Sequence, residues 1–167
     1  MRAIRLTHLD RKGAAKMVDV SAKRPTLRKA AARAVVVLGP RAFRALDASE
    51  NRKGDALAVA RLSGIQAAKR TAEWIPLCHP VAFDAVTVTL VRNAGSASVG
   101  ISAEVRGTAK TGYEMEALVA ASAAALALYD MCKGADKGIR IERVELVSKS
   151  GGKSGSWRRP IRTRALR

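Results

Sequence analysis

Aromatic side chains are scarce in this chain, which has two Trp, two Tyr and two Phe among its 167 residues. Hydrophobic residues nevertheless make up 48% of it, and alanine supplies much of that share. A core built from so many small side chains favours close packing of helices over a bulky aromatic interior. The length fits one domain that is large enough to bury a real core.

Cysteines and long apolar runs are also rare. Cys78 and Cys132 lie far apart and neither belongs to a Cys-x-x-Cys pair, which excludes a disulfide scaffold and does not fit a zinc site. No uninterrupted apolar run reaches the roughly 18 residues of a membrane span. The first residues, MRAIRLTHLDRKG, lack the apolar segment of a signal peptide. We therefore expect a cytoplasmic protein without a metal centre or a membrane span.

Acidic residues are few, so the formal net charge is +17. Residues 1–44 hold 12 Lys or Arg and 2 Asp, and residues 158–167 hold five Arg and no acid, whereas residues 45–157 are nearly balanced. We expect one domain over 1–157 and a basic tail over 158–167. The tail is either a solvated arm or a binder of polyanions, and the lack of an aromatic platform favours the arm.

Hydrophobic periodicity predicts an α+β domain. Alternating side chains favour strands at 28–38, 85–92, 97–106 and 139–148. Helical spacing predicts helices at 54–70 and 114–133, with a short one near 41–48. Gly39-Pro40 is expected to end the first strand, and the two prolines of 71–80 are expected to take the chain out of the preceding helix. The order β-α-β-β-α-β predicts a ferredoxin-like split βαβ sandwich, an antiparallel sheet with helices on one face.

Two prolines enclose a Cys and a His in the segment PLCHP (76–80). The segment is either an ordinary turn or a rigid loop that aims His79 at a ligand. A nucleophilic Cys78–His79 pair is disfavoured, because adjacent side chains rarely point at each other.

The long predicted helix carries charged residues at both ends. Glu114 and Glu116 lie in its first turn, where they either complement the helix dipole or bind the N–H groups of a purine or pterin edge. Asp130 and Lys133 share a face near its end. They form either a surface ion pair or a general acid/base couple in which the ammonium group keeps the carboxylate ionised.

The segment KSGGKSG (149–155) combines glycines with lysines. Glycines let backbone N–H groups approach phosphate oxygens, which the lysines neutralise, although the spacing is not that of a P-loop. A flexible basic loop is the alternative. Lys53, Lys69 and Arg70 are further candidate phosphate contacts.

Taken in order, the motifs resemble one family, the cyclic pyranopterin monophosphate synthases of molybdenum cofactor biosynthesis, called the MoaC family. The similar segments are LTHLD (6–10), MVDVSAK (17–23), KGDALAVARLSGIQAAKRT (53–71), IPLCHP (75–80), KTGYEMEAL (110–118), LYDMCK (128–133) and KSGGKSG (149–155). The resemblance spans residues 6 to about 157. Tyr113 departs from it, since the family usually has a small aliphatic residue there.

The resemblance implies a ferredoxin-like lyase that converts (8S)-3′,8-cyclo-7,8-dihydroguanosine 5′-triphosphate to cyclic pyranopterin monophosphate and pyrophosphate. It implies Asp130 and Lys133 as catalytic residues. It also implies substrate contacts from Leu77, Cys78, His79, Met115, Glu116, Lys53 and Lys149. We expect no cofactor, because no net electron transfer occurs, although Mg²⁺ can accompany the triphosphate. The family forms a homohexamer, a trimer of dimers with sites at the dimer interface.

Helix geometry independently favours a shared site. Glu116 and Asp130 are 14 residues apart on one predicted helix, a span of roughly 21 Å, which is too long for one nucleotide to contact both. An antiparallel partner helix would bring Glu116 of one chain near Asp130 of the other. The competing hypothesis, a nucleic-acid-binding module, requires aromatic residues on the sheet. The strands predicted at 85–92 and 97–106 contain none.

Overall fold

The computed structural model describes residues 8–10, 12–46 and 54–160. Within them, the strands are β1 (Thr26–Val37), β2 (Ala85–Asn93), β3 (Ser98–Ala109), β4 (Arg140–Ser150) and β5 (Trp157–Arg158), and the helices are α1 (Gly39–Arg44), α2 (Ala56–Lys69), α3 (Thr71–Trp74) and α4 (Glu114–Cys132). The strands form one antiparallel sheet in the order β2-β3-β1-β4-β5. Helices α2 and α4 pack against each other and against this sheet. The predicted ferredoxin-like α+β fold is confirmed.

Small side chains fill the space between the helices and the sheet. The buried face of β1 carries Ala30, Ala32, Ala34 and Val36. Facing it, α4 buries six alanines, Ala117, Ala120, Ala121, Ala123, Ala124 and Ala125, and Ala127 is partly buried beside them. A Cβ atom on Gly64 of α2 would lie 2.8 Å from the carbonyl oxygen of Ala120 and 3.2 Å from the Cβ atom of Ala124. The two helices therefore touch along their backbones, as the composition predicts.

The strand β1 ends at Val37, just before Gly39-Pro40, as predicted. Gly39 and Pro40 also begin α1, where the missing N–H of a proline has no cost. The helix α2 ends at Lys69, so residues 71–80 leave it as predicted, but 71–74 form the short helix α3, which is not predicted. Pro76 is the first proline of this segment and comes two residues after α3 ends, so it limits this helix without preventing it. Residues 47 and 48 of the short helix predicted near 41–48 lie outside the described residues.

The sheet extends further than the sequence pattern predicts. The ladder with β1 continues to the pairs Thr26–Ala109 and Lys29–Ser150, so β3 and β4 are each longer than expected. The short strand β5 is not predicted, and it pairs with the end of β4. Its two residues are too few to show an alternating pattern.

Arg158 and Arg159, which are predicted to belong to the tail, are attached to β4. Arg158 belongs to β5. The backbone N–H of Arg159 donates to the carbonyl oxygen of Val147 at 2.8 Å, and its Nε donates to that of Leu146 at 2.7 Å. Its guanidinium group also forms an ion pair with Glu145. Residues 161–167 of the predicted tail lie outside the described residues.

Helix α4 is long and apolar enough to cross a membrane by length and composition. More than half of its most apolar stretch is buried inside the molecule, against α2 and the sheet. Such burial is typical of the central helix of a domain in which helices pack on one sheet.

Candidate active site

A cavity of about 520 Å³ opens where the loop before β2, the first turn of α4 and the end of β4 meet. Six of the nine predicted site residues line it, namely Leu77, Cys78, His79, Met115, Glu116 and Lys149. They come from three segments that are far apart in the sequence, so the fold brings them together. Lys53 lies outside the described residues.

Local backbone features hold these segments in place. The N–H of Cys78 donates to the carbonyl oxygen of Ile75 at 3.0 Å, which forms a turn directly after α3. Gly151, at φ +91°, lets the chain turn back at the end of β4. A Cβ atom there would collide with the carbonyl oxygen of Leu27. The glycine therefore permits the turn that brings both Lys149 and Ser154 to the cavity.

Basic side chains other than the nine predicted site residues also line the cavity. Arg28 of β1 is fixed there, because its guanidinium group donates to the carbonyl oxygens of Ala109 and Lys110 at 3.0 and 3.2 Å. The Lys110 ammonium group donates to the carbonyl oxygen of Ser21 at 2.9 Å. Lys23 and His8 complete this part of the wall. Arg28 belongs to none of the similar segments, and the basic excess of residues 1–44 is the one signal that pointed to it. His8, Lys23 and Lys110 lie within three of those segments, but no role is predicted for them.

Lys149 forms an ion pair with Glu114 across the cavity wall, with 3.0 Å between the ammonium nitrogen and the carboxylate oxygen. Both side chains are half-buried. The same ammonium group donates to the Ser154 hydroxyl at 3.3 Å. The glycine-rich segment is thereby joined to the start of α4, and the charge of Glu114 is balanced locally.

Glu116 is the buried carboxyl group of the site, with 3% of its surface exposed. Burial raises the pKa of Glu116 to about 7, and the nearby charge of Glu114 acts in the same direction. A hydrogen bond from its own backbone N–H partly opposes the rise in this pKa. Among the described residues, no Lys or Arg forms an ion pair with it. A carboxyl group with this pKa can take up and release a proton near neutral pH.

Cys78 does not have the properties of a nucleophile. Burial raises the pKa of the Cys78 thiol, and the charge of Glu116 raises it further. The thiol form is therefore favoured, and a thiol is a poor nucleophile. His79, its neighbour, also lines a second cavity of about 300 Å³, together with Lys69, Arg70 and Glu116. The candidate phosphate contacts Lys69 and Arg70 thus lie beside the main cavity.

Asp130 and Lys133 lie at the opposite end of α4 and do not line the main cavity. Their ion pair measures 2.6 Å, with about half of each side chain exposed. The hydrogen bond to Asp130 raises the pKa of Lys133, and the charge of Asp130 adds to the effect. Lys133 lines a shallow cavity of about 410 Å³ with Arg41 and Lys137. One chain therefore carries two separate groups of predicted site residues, divided by the length of α4.

Tyr113 does not shape the cavity directly, although it immediately precedes Glu114. It is fully buried, and it is absent from the cavity wall. Within residues 8–10, 12–46 and 54–160, no three or more His, Cys, Asp or Glu side chains cluster in a way that could hold a metal ion.

Comparison with known proteins identifies the family. The MoaC family model matches residues 17–152. The chain is 53% identical to the cyclic pyranopterin monophosphate synthase of Geotalea uraniireducens over 152 residues, 91% of this chain and 95% of that protein. It is 50% identical to the synthase of Thermomicrobium roseum over 92% of this chain and 93% of that one. It is 51% identical to cyclic pyranopterin monophosphate synthase 3 of Mycobacterium tuberculosis, over 92% and 86%. The chain belongs to the MoaC family.

Proposed function

We propose that this chain is a lyase that converts (8S)-3′,8-cyclo-7,8-dihydroguanosine 5′-triphosphate to cyclic pyranopterin monophosphate and pyrophosphate. One observation carries the proposal: a protein of this family places six predicted substrate contacts around a single cavity. The volume of about 520 Å³ is suited to one nucleotide. The reaction belongs to molybdenum cofactor biosynthesis, and we place it in the cytoplasm.

The cavity offers different partners to the two ends of this substrate. The cations on its wall, Lys23, Arg28, Lys110 and Lys149, attract the triphosphate. Glu116 and the backbone around Leu77–His79 provide hydrogen-bonding groups for the base. A buried carboxyl group is suited to that task, because it accepts a hydrogen bond when ionised and donates one when protonated.

Catalysis in this proposal uses two subunits. Asp130 and Lys133 are too far along α4 to reach a nucleotide held by Glu116 of the same chain. In a twofold dimer, the Asp130–Lys133 pair of one subunit completes the cavity of the other, and two equivalent sites result. A trimer of such dimers gives the hexamer that the family resemblance implies.

The reaction requires proton transfers and one phosphoryl transfer. Asp130 and Lys133 move protons while the purine ring opens and the pterin ring closes, with Glu116 as a further exchangeable group. A ribose hydroxyl oxygen then forms a bond to the α-phosphorus and loses its proton. The bond from that phosphorus to the bridging oxygen breaks, and pyrophosphate leaves with the electron pair. Lys53, Lys149 and Lys153 are the candidates for stabilising the charge on pyrophosphate.

The balance of this reaction requires no redox cofactor, since no electrons are transferred overall. We propose that a divalent cation, where one takes part, arrives on the phosphate oxygens of the substrate.

The direct test is incubation of the purified full chain with the cyclised nucleotide. Pyrophosphate is measured by a coupled assay, and the pterin by fluorescence after oxidation. We expect equal amounts of both products, and the loss of both in Asp130→Ala. Folded, oligomeric protein that releases neither product contradicts the proposal, and release of pyrophosphate without a pterin contradicts the assigned reaction.

A further inference from the structure

Tyr113 connects the start of α4 to the segment that follows His79, and both of these flank the cavity. Its side chain is fully buried. Its hydroxyl donates a hydrogen bond to the carbonyl oxygen of Ala82 at 2.8 Å. Its ring meets that of Phe83 edge-on, with 6.3 Å between the ring centres and 89° between the planes. A residue at the start of α4 therefore holds the chain segment that follows the loop carrying Cys78 and His79.

Gly107 of β3 provides the space for this arrangement. A Cβ atom on Gly107 would lie 2.6 Å from the Tyr113 hydroxyl oxygen and 2.9 Å from both the Cα atom of Phe83 and the backbone nitrogen of Asp84. Any other residue would push the tyrosine and the chain at 83–84 apart. The N–H of Asp84 also donates to the carbonyl oxygen of Arg106 at 2.9 Å, which fixes the far end of the segment to β3.

The positions of the joined residues connect this contact to the site. Tyr113 is three residues before Glu116, and Ala82 is three residues after His79. Glu116, His79 and Ala82 all line the second cavity of about 300 Å³, and Glu116 and His79 also line the main one. The 79–82 segment has no regular secondary structure of its own, so its position relative to α4 depends on such side-chain contacts.

We propose that Tyr113 is a positioning residue that sets the separation of His79 and Glu116 across the cavity. The expected effect on catalysis rests on the proposed function. The expected effect on the position of the 79–82 segment does not. Removing the hydroxyl leaves the Ala82 carbonyl oxygen without this partner and frees the 79–82 segment. Substrate then binds a site in which His79 and Glu116 are no longer held at a fixed separation.

The test compares Tyr113→Phe with a matched control, Ser122→Ala. Ser122 lies on the same helix and also donates its hydroxyl to a backbone carbonyl oxygen, that of Leu118 at 2.8 Å, but it does not line the cavity. Two quantities are measured on the full chain. One is KM for the cyclised nucleotide, and the other is the rate at which an aromatic disulfide reagent labels Cys78, assigned by peptide mass spectrometry. Cys132 is buried and gives a slow reference reaction.

We expect Tyr113→Phe to raise KM about fivefold and to label Cys78 about fivefold faster, since one hydrogen bond is lost. Ser122→Ala leaves both quantities unchanged. A second variant, Phe83→Leu, keeps the hydroxyl bond and changes both quantities by less than about twofold. A merely structural role would lower the melting temperature and kcat, and leave KM and the labelling rate unaltered.

Two results overturn the proposal: KM and labelling of Tyr113→Phe equal to those of the unmodified protein, or Phe83→Leu with effects as large as those of Tyr113→Phe. The second result would assign the effect to general loosening rather than to the hydroxyl. If the unmodified protein shows no turnover, the proposed function fails. The labelling rates then decide the positioning role by themselves.

Discussion

A buried carboxyl group makes the stability of the folded protein depend on pH. The pKa of Glu116 is raised to about 7 by burial, from an ordinary value of 4.5. Between these two values the folded protein binds more protons than the unfolded chain, so the free energy of unfolding falls as the pH rises. Below about pH 4.5 the carboxyl group is protonated in both the folded and the unfolded state, so its contribution to stability is constant. Above about pH 7 the stability that this proton provides has been lost completely.

We therefore predict that Glu116→Gln gains stability relative to the unmodified protein as the pH rises from about 5 to 8. The gain reaches a few kcal/mol, about 1.4 for each unit of pKa shift. Urea unfolding at fixed protein concentration and several pH values measures it. Glu142→Gln, at the surface of the sheet, is the control for the same exchange of a carboxyl group for an amide outside the cavity. A flat difference for Glu116→Gln would mean that the fold does not raise the pKa of this carboxyl group.

Lys133 is exposed, so its contribution to stability is small even though its ion pair with Asp130 is short. We predict that Lys133→Ala lowers kcat by about 100-fold or more, the range of general acid/base catalysis, while the thermal unfolding curve stays near that of the unmodified protein. Lys137→Ala, beside it in the same shallow cavity, is the comparison for a general loss of positive charge. Unchanged turnover in Lys133→Ala would remove this residue from the mechanism.

At the scale of elements, the start of α2 depends on one side chain. The Asp55 carboxylate accepts hydrogen bonds from the backbone N–H groups of Leu57 and Ala58, at 3.0 and 2.9 Å. These are donors that have no partner within the helix. The residue also follows Lys53, a proposed substrate contact, by two positions.

We predict that Asp55→Ala lowers the free energy of unfolding by about 1 kcal/mol, whereas Asp55→Asn, which keeps a capping oxygen, lowers it much less. The urea midpoint at constant protein concentration measures both, because association would otherwise contribute. Equal losses in the two variants would show that the charge, rather than the hydrogen bonds, stabilises this helix end.

The sequence predicts an element well where its side chains repeat over several turns or pairs. The strand β1 alternates between Ala30, Ala32, Ala34 and Val36 on one face and polar or intermediate residues on the other, and α4 ends within one residue of its predicted limit. The elements α3 and β5 are too short to show a period. Contacts with neighbouring elements stabilise α3 and β5. The residue pattern within each segment gives no sign of those contacts.

The same limit applies to the cavity. Its six predicted residues lie in motifs, and the resemblance to the family identified them. Arg28 and Lys110 reach the cavity because β1 and β3 are paired at their ends. Tyr113 departs from the family pattern, but its hydrogen bond to the Ala82 carbonyl oxygen joins residues 31 positions apart. Such contacts follow from the fold and could not be read from spacing.

At the scale of the whole molecule, the two groups of predicted site residues at opposite ends of α4 require a partner. We predict that Asp130→Ala chains and Glu116→Ala chains, each inactive alone, recover activity when unfolded together in equal amounts and refolded. Random pairing makes about half of the dimers mixed, and each mixed dimer has one intact site. The recovered activity is then about one quarter of that of the unmodified protein.

Size-exclusion chromatography of each preparation must first show the same oligomer, so that only site composition differs. Two Asp130→Ala samples, refolded together in the same way, give the background. No recovery above this background would mean that Glu116 and Asp130 of the same chain act together.

The alanine layer of α4 also bears on how this protein can change over evolutionary time. A position that carries one methyl group has almost nothing to lose by truncation, whereas each added carbon must displace the backbone of a neighbour. Few substitutions are therefore tolerated at these buried positions. Exchange among Ala, Gly and Ser has a modest cost in helix propensity, whereas larger side chains do not fit. Diversity among descendants of this sequence should accumulate on the sheet surface and at the chain ends.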